Sequence, residues 1–291
     1  MIGLRALAPL AILVAAPALA AAPRAYVCPM HPDVRRATAG SCPRCKMALV
    51  PTAIDRLDAF FLDVELDPPA APAARPLRLR LAVRDPATRA IVRDFAVVHE
   101  HPLHLFVVSE DLAWLAHVHP AQAADGVFTV ELTLPRAGRY QLVADFVPEG
   151  APPQLLSRVL VTAGHAAPLG GAHLAAAPSA TVEGVTFALA PGAHPVARLD
   201  ALELELSRGG APVTDLQPYL GADVHVLIVS EDLATTIHEH GERIEGRSAL
   251  RVPVRFPRAG RYRVFAQVRR GGEVLTAALT ADASGAVDLR P

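Results

Sequence analysis

The sequence predicts a mainly β protein in which a short cysteine-bearing segment precedes two tandem β-sandwich domains. Three observations carry this reading. The first is an internal repeat: the run from His104 to His119 aligns with that from His225 to His240 at an offset of 121, and Leu134-Pro-Arg-Ala-Gly-Arg-Tyr140 aligns with Phe256-Pro-Arg-Ala-Gly-Arg-Tyr262 at 122, which marks a duplicated unit of domain size with one small insertion. The second is alternation, as in Leu77-Arg-Leu-Arg-Leu-Ala-Val and Leu202-Glu-Leu-Glu-Leu, the period of a half-buried strand. The third is punctuation: 19 Gly and 27 Pro break 291 residues into short elements, and no long helical period runs between the breaks.

In chain order, Arg5 precedes an apolar run from Ala6 to Ala20 that ends in Ala18-Leu19-Ala20, the pattern of a cleaved export signal over residues 1–22. Nothing later is long and apolar enough to span a membrane, so a periplasmic or secreted location is expected. Residues 23–53 form the cysteine-bearing segment, 54–162 the first repeat, 163–180 an Ala-, Gly- and Pro-rich linker, and 181–291 the second repeat.

The chain has three cysteines, Cys28, Cys42 and Cys45, and an odd number in an oxidising compartment is no simple disulfide framework. Cys28-Pro-Met-His31 and Cys42-Pro-Arg-Cys45 have the spacing of two metal knuckles, offering three thiolates and one imidazole to a tetrahedral ion. Met30 and Met47, the two methionines beyond Met1, lie within two residues of these positions. As donors they favour Cu(I) or Ag(I); as mere packing they leave a set ordinary for Zn(II). A redox disulfide between Cys42 and Cys45 is the competing use of C-x-x-C, but the βαβ context it expects is not visible.

Cys-Pro-Met-His-Pro followed by Cys-Pro-x-Cys and Met-x-Leu resembles the short heavy-metal-binding domain of copper- and silver-efflux adaptors and heavy-metal P-type ATPases, over about residues 25–52. The resemblance implies metal contact at Cys28, His31, Cys42 and Cys45, with Met30 and Met47 as additional donors. Lys46 stands where that family usually has Gly, at a position that favours positive φ. The long helical hairpin that the adaptors also need has no counterpart in this chain.

Within each repeat, six to eight short strands in about 100 residues argue a sandwich, and Pro-Arg-Ala-Gly-Arg-Tyr reads as the turn by which an immunoglobulin-like chain crosses between sheets. His117 and His119, like His238 and His240, are two apart and share a strand face. A two-residue loop at Glu110-Asp111 places His104 opposite His117, and the same loop at Glu231-Asp232 places His225 opposite His238. Three histidines per repeat then converge, His104, His117 and His119 in one cluster and His225, His238 and His240 in another, with His99 and His101 near the first. These are metal ligands or, equally, hydrogen-bonded histidines duplicated with the strand pattern. His165, His173 and His194 are expected to be solvated.

Net charge is −1 with no basic block, which disfavours nucleic acid as a partner. Neither a phosphate loop nor a nucleophile elbow is present, and Ser109 and Ser230 sit in Ser-Glu-Asp turns, so no enzyme is expected. The expected function is capture of a copper, silver or zinc ion for buffering or delivery to an efflux partner. The alternative is an extracytoplasmic interaction module with a structural zinc site and partner-binding sandwiches.

Overall fold

The computed structural model describes residues 24–29, 34–44, 46–53, 59–165 and 172–285. The export segment therefore lies outside the described residues, as do Met30, His31 and Cys45. Every described element is a strand, and none of the described residues forms a helix long and apolar enough to cross a membrane.

The N-terminal unit is a three-stranded sheet of β1 (Arg24–Val27), β2 (Arg35–Arg36) and β3 (Val50–Ala53), in the order β2-β1-β3. The first large domain contains β4 (Phe61–Asp67), β5 (Pro76–Arg84), β6 (Leu103–Ser109), β7 (Leu115–Val118), β8 (Ala121–Gln122), β9 (Phe128–Thr133), β10 (Arg139–Phe146) and β11 (Gln154–Val161). They form two antiparallel sheets, β4-β5-β9-β8 and β11-β10-β6-β7. Alternation builds the core as expected: in β5, Leu77, Leu79, Leu81 and Val83 are buried while the arginines between them face out. Leu103, Leu105 and Val107 of β6 meet them from the opposite sheet, which is the arrangement of a β-sandwich.

The second domain repeats the plan with β12 (Ser179–Val182), β13 (Val185–Leu189), β14 (His194–Pro195), β15 (Asp200–Arg208), β16 (Ala211–Pro212), β17 (Leu216–Gln217), β18 (Val224–Ser230), β19 (Thr236–Arg243), β20 (Ala249–Val254), β21 (Gly260–Arg270) and β22 (Glu273–Ser284). Its two sheets join at one corner, because β19 pairs with β18 along most of its length and with β20 at Glu242 and Arg243. The crossing turns are alike in both domains. Tyr140 Oη donates to Arg136 O at 2.8 Å, and Tyr262 Oη to Arg258 O at 2.8 Å, the tyrosine corner of immunoglobulin-like sandwiches.

The hairpins correct the expected register. β6 and β7 pair Phe106 with His117, and β18 and β19 pair His225 with His240 and Leu227 with His238, a slip of two residues in each repeat. The loop is longer than two residues because Ser-Glu-Asp organises it. Ser109 Oγ donates to Asp111 Oδ1 at 2.6 Å and accepts from Trp114 N at 3.0 Å, while Leu112 takes φ 55°. Ser230, Asp232, Thr235 and Leu233 repeat the pattern. A shift of two residues preserves the face on which each side chain lies, so the histidines still share one face.

Every residue of β6 and of β18 is buried, since the outer faces of these strands pack on each other. Phe106, Val108 and Val143 meet Leu227, Val229 and Phe265, and these are the same repeat positions at offsets of 121 and 122. The two domains therefore face each other about a pseudo-two-fold axis. The segment that connects the domains is drawn into the contact: Leu174 is buried there, and its N–H donates to Glu231 Oε1 at 2.5 Å.

Candidate metal centres

The cysteine-bearing unit packs on the first sandwich. Cys28 and Cys42 are fully buried and cluster with Leu49, Val98 and Val147, and Met47 packs against them. Cys28 N donates to Val34 O at 3.0 Å, closing one turn. Cys42 N donates to Met47 O at 2.8 Å and Lys46 N to Cys42 O at 2.9 Å, closing the other. Lys46 adopts φ 63°, the conformation that glycine normally supplies, and its Nζ donates to Pro43 O at 2.9 Å. The backbone at Cys28 and at Cys42 thus makes the two tight turns expected of a metal knuckle. Pro29 continues from Cys28 to line a small cleft with His99, His101, His104 and His238.

That cleft opens on eight histidines at one end of the interdomain contact. His104 and His225 lie on the outward stripes of β6 and β18, His117 lies on β7 with His119 just beyond it, His238 and His240 lie on β19, and His99 and His101 come from the turn Val98–His101. In this turn His99 and Glu100 take φ 48° and 70°, and its counterpart is Tyr219–Ala222, with Leu220 at φ 49° and Gly221 at 74°.

His104, His117 and His119 come together as expected, with ring nitrogens within 4.8 Å of one another. Of the expected second cluster, His225 and His240 come together, but their third member is His99 from the other domain. His238 turns to Asp145, its Nδ1–H donating to Oδ2 at 2.6 Å. The asymmetry arises in the turns: Leu220 occupies the position equivalent to His99, so only the first domain can send an imidazole across. His99 stacks on His240 with ring centroids 3.7 Å apart, and His101 stacks on His119 at 3.8 Å. His194 corrects another expectation. It is paired with Asp200 at 2.7 Å and largely buried. His173 is exposed.

Five of these imidazoles have their tautomer fixed by an oxygen acceptor, because a neutral ring donates from one nitrogen and keeps a lone pair on the other. His104 Nε2 lies 2.9 Å from Val98 O, His225 Nε2 lies 2.7 Å from Tyr219 O, and His99 Nδ1 lies 2.7 Å from Leu220 O. His117 Nδ1 lies 2.8 Å from Gln267 Oε1, whose amide nitrogen donates to Thr276 Oγ1; the fifth is His238 on Asp145. The pairs His117–Gln267 and His238–Asp145 cross the interface in opposite directions at equivalent repeat positions. Sequence reading missed both acceptors, although 145 and 267 stand 122 apart as polar residues on otherwise apolar strands.

The consequence is a repulsive contact. His104 Nδ1 and His117 Nε2 are both lone-pair nitrogens, yet they stand 3.1 Å apart, and His119 Nε2 is also 3.1 Å from His104 Nδ1. Protonation does not relieve this at neutral pH. Burial, reinforced by neighbouring imidazoles, pushes His104 down to about 4 and His119 to about 3, and holds His117 well below the ordinary histidine range. In the second centre burial pushes His225 down to about 2 and lowers His240 strongly. There His225 Nδ1, His238 Nε2 and both nitrogens of His240 are buried with no hydrogen-bond partner among the described residues.

Residues 25–52 match the heavy metal binding domain. Residues 57–161 and 180–285 each match a domain of unknown function, DUF8832. No curated protein matches the chain. Among solved structures, the Escherichia coli adhesin FdeC is similar at 13% identity and a TM-score of 0.26, over 82% of this chain and 69% of its own. The Yersinia pseudotuberculosis adhesin InvE is similar at 12% and 0.24, over 77% and 60%. A two-domain fibronectin type III segment of chicken tenascin is similar at 13% and 0.23, over 78% and 100%. The two DUF8832 matches together span more than half of the sequence, and the chain belongs to that family, as a tandem pair of the domain preceded by a heavy metal binding domain.

Proposed function

We propose that this is an extracytoplasmic heavy-metal-binding protein with two kinds of site, one of thiolates at the N-terminal knuckle and one of imidazoles between the sandwiches. It binds and releases ions without chemical turnover. The observation that carries the reading is the pair of lone pairs facing each other at 3.1 Å between His104 and His117. A shared cation turns that repulsion into coordination, and tetrahedral ligands about 2.0–2.1 Å from an ion stand about 3.3 Å from one another. The outer N–H bonds of His104 to Val98 O and of His117 to Gln267 Oε1 are the support that ligating histidines ordinarily have.

Imidazole donors suit Zn(II) or Cu(II), whereas thiolates with thioethers suit Cu(I) or Ag(I). At the knuckle Cys28 and Cys42, with His31, Cys45, Met30 and Met47 of the resembling motif, would hold the softer ion. The charge and apolar pattern of residues 1–22 supports export to the periplasm, and delivery to an efflux partner is the role we assign there. Zinc titration of the full chain tests the reading. We expect more than the single equivalent of a cysteine knuckle, and the loss of one equivalent in the double variant His117→Gln, His119→Gln. A single equivalent, unchanged in that variant, would overturn the histidine site. Separately, the thiols of Cys28, Cys42 and Cys45 should resist alkylation until a chelator is added. Burial alone already shields Cys28 and Cys42, so Cys45 is the informative one.

A further inference from the structure

We infer that His99, His225 and His240 form a second metal centre whose ligands come from both sandwiches, so that a bound ion ties one domain to the other. The inference rests on the metal-binding reading above and adds to it a site and a mechanical role. His99 belongs to a turn of the first domain, while His225 and His240 are directly opposed on β18 and β19 of the second. Their ring nitrogens lie within 4.8 Å of one another, and ring rotation about the side-chain bonds covers the remaining distance to tetrahedral spacing.

Donor chemistry supports the placement. His99 gives its Nδ1–H to Leu220 O and His225 gives its Nε2–H to Tyr219 O, which leaves Nε2 of the first and Nδ1 of the second as ligand atoms. His225 and His240 are 1% and 7% exposed, and His225 Nδ1 and both nitrogens of His240 have no hydrogen-bond partner among the described residues. Buried polar atoms without partners are costly, and coordination satisfies them. The His99–Leu220 bond itself crosses between the domains, so the apo protein already holds the turn over the site. The pseudo-symmetric alternative, with His238 as third ligand, is opposed by distance: the nitrogens that lie within 4.8 Å of one another belong to His99, His225 and His240, and His238 is not among them.

The test is zinc stoichiometry of the full chain in single and double variants. His99→Asn is the chosen change, because Asn tolerates the positive φ of this position; His225→Gln is its partner. Each single variant should lose one equivalent relative to wild type, and the double variant should lose the same one and no more, because both side chains hold one ion. Near-ultraviolet circular dichroism reports retained folding, and His240→Gln replaces either variant that fails it. Zinc should also slow amide exchange in β6 and β18 of wild type more than in His99→Asn. If His99→Asn keeps the wild-type count, or the double variant loses two equivalents, the shared centre is wrong while the His104–His117–His119 site stands. A wild-type count of one, that of the cysteine knuckle alone, would instead remove both histidine sites.

Discussion

Replacing Gln267 with Leu removes the acceptor that His117 uses across the interface and leaves a nearly isosteric apolar side chain. Two effects follow from one lost contact. In the metal-free protein the buried His117 Nδ1–H has no partner, at a cost of about 1–3 kcal/mol; for a protein of this size that is roughly 2–10 °C in Tm. In the loaded protein the ring loses the bond that fixes its orientation and raises its basicity, and such supports are worth about 10–100-fold in affinity, or about 1.4–2.8 kcal/mol. Gln267→Glu keeps an oxygen in place, as Asp145 does for His238, and should retain the site. Competition between the protein and a chelator for zinc measures both variants. The reasoning fails if Gln267→Leu binds at the His104–His117–His119 centre as tightly as wild type, or if Gln267→Glu is as impaired as Gln267→Leu.

Other outcomes are open to direct measurement. Tyr140→Phe and Tyr262→Phe should each cost about 1 kcal/mol, nearly equally, since the two corners have the same 2.8 Å bond; chemical denaturation would show it. Gly241→Ala should destabilise the second domain by about 1–3 kcal/mol or more, because a Cβ there meets Arg251 O, Val224 Cγ1 and Val252 Cγ2 at 2.7 Å. Acid should weaken the metal-free protein. The buried histidines have lowered values in the folded state, so below about pH 6.5 the unfolded chain binds more protons and stability falls with pH. For His104 alone, moved to about 4, the loss approaches about 3 kcal/mol once pH reaches that value. A Tm that is flat between pH 7 and 4.5 would contradict this.

The fold was legible because its signals are local and repeated. Alternation in β5 and β15, the offset of 121, and the tyrosine turn each depend on residues near in sequence. The cysteine knuckle was legible for the same reason. Hairpin register was misread because Glu-Asp looks like the loop, whereas Ser109 and Asp111 capture the backbone of a longer one; only the even size of the error kept the histidines on one face. What sequence could not supply was the identity of the second surface. Phe106 and Val108 alternate with Leu105 and Val107, so β6 reads as uniformly apolar, but nothing in that run says that its outer face is covered by β18. Without that contact His99 has no reason to join His225, and Asp145 and Gln267 read as ordinary surface residues.

A patch that packs on its own repeat about a two-fold axis is self-complementary, so a single copy of this domain has the surface to pair with another copy of itself. Joining two copies in one chain turns that encounter into an intramolecular one, with an effective concentration set by the short connection rather than by expression level. An ion held between the domains then depends on metal supply alone and not on how much protein is present. Fusion also frees the two halves to diverge, as they have at His99 and Leu220 and at Asp145 and Gln267, where a homodimer would be bound to carry the same residue twice.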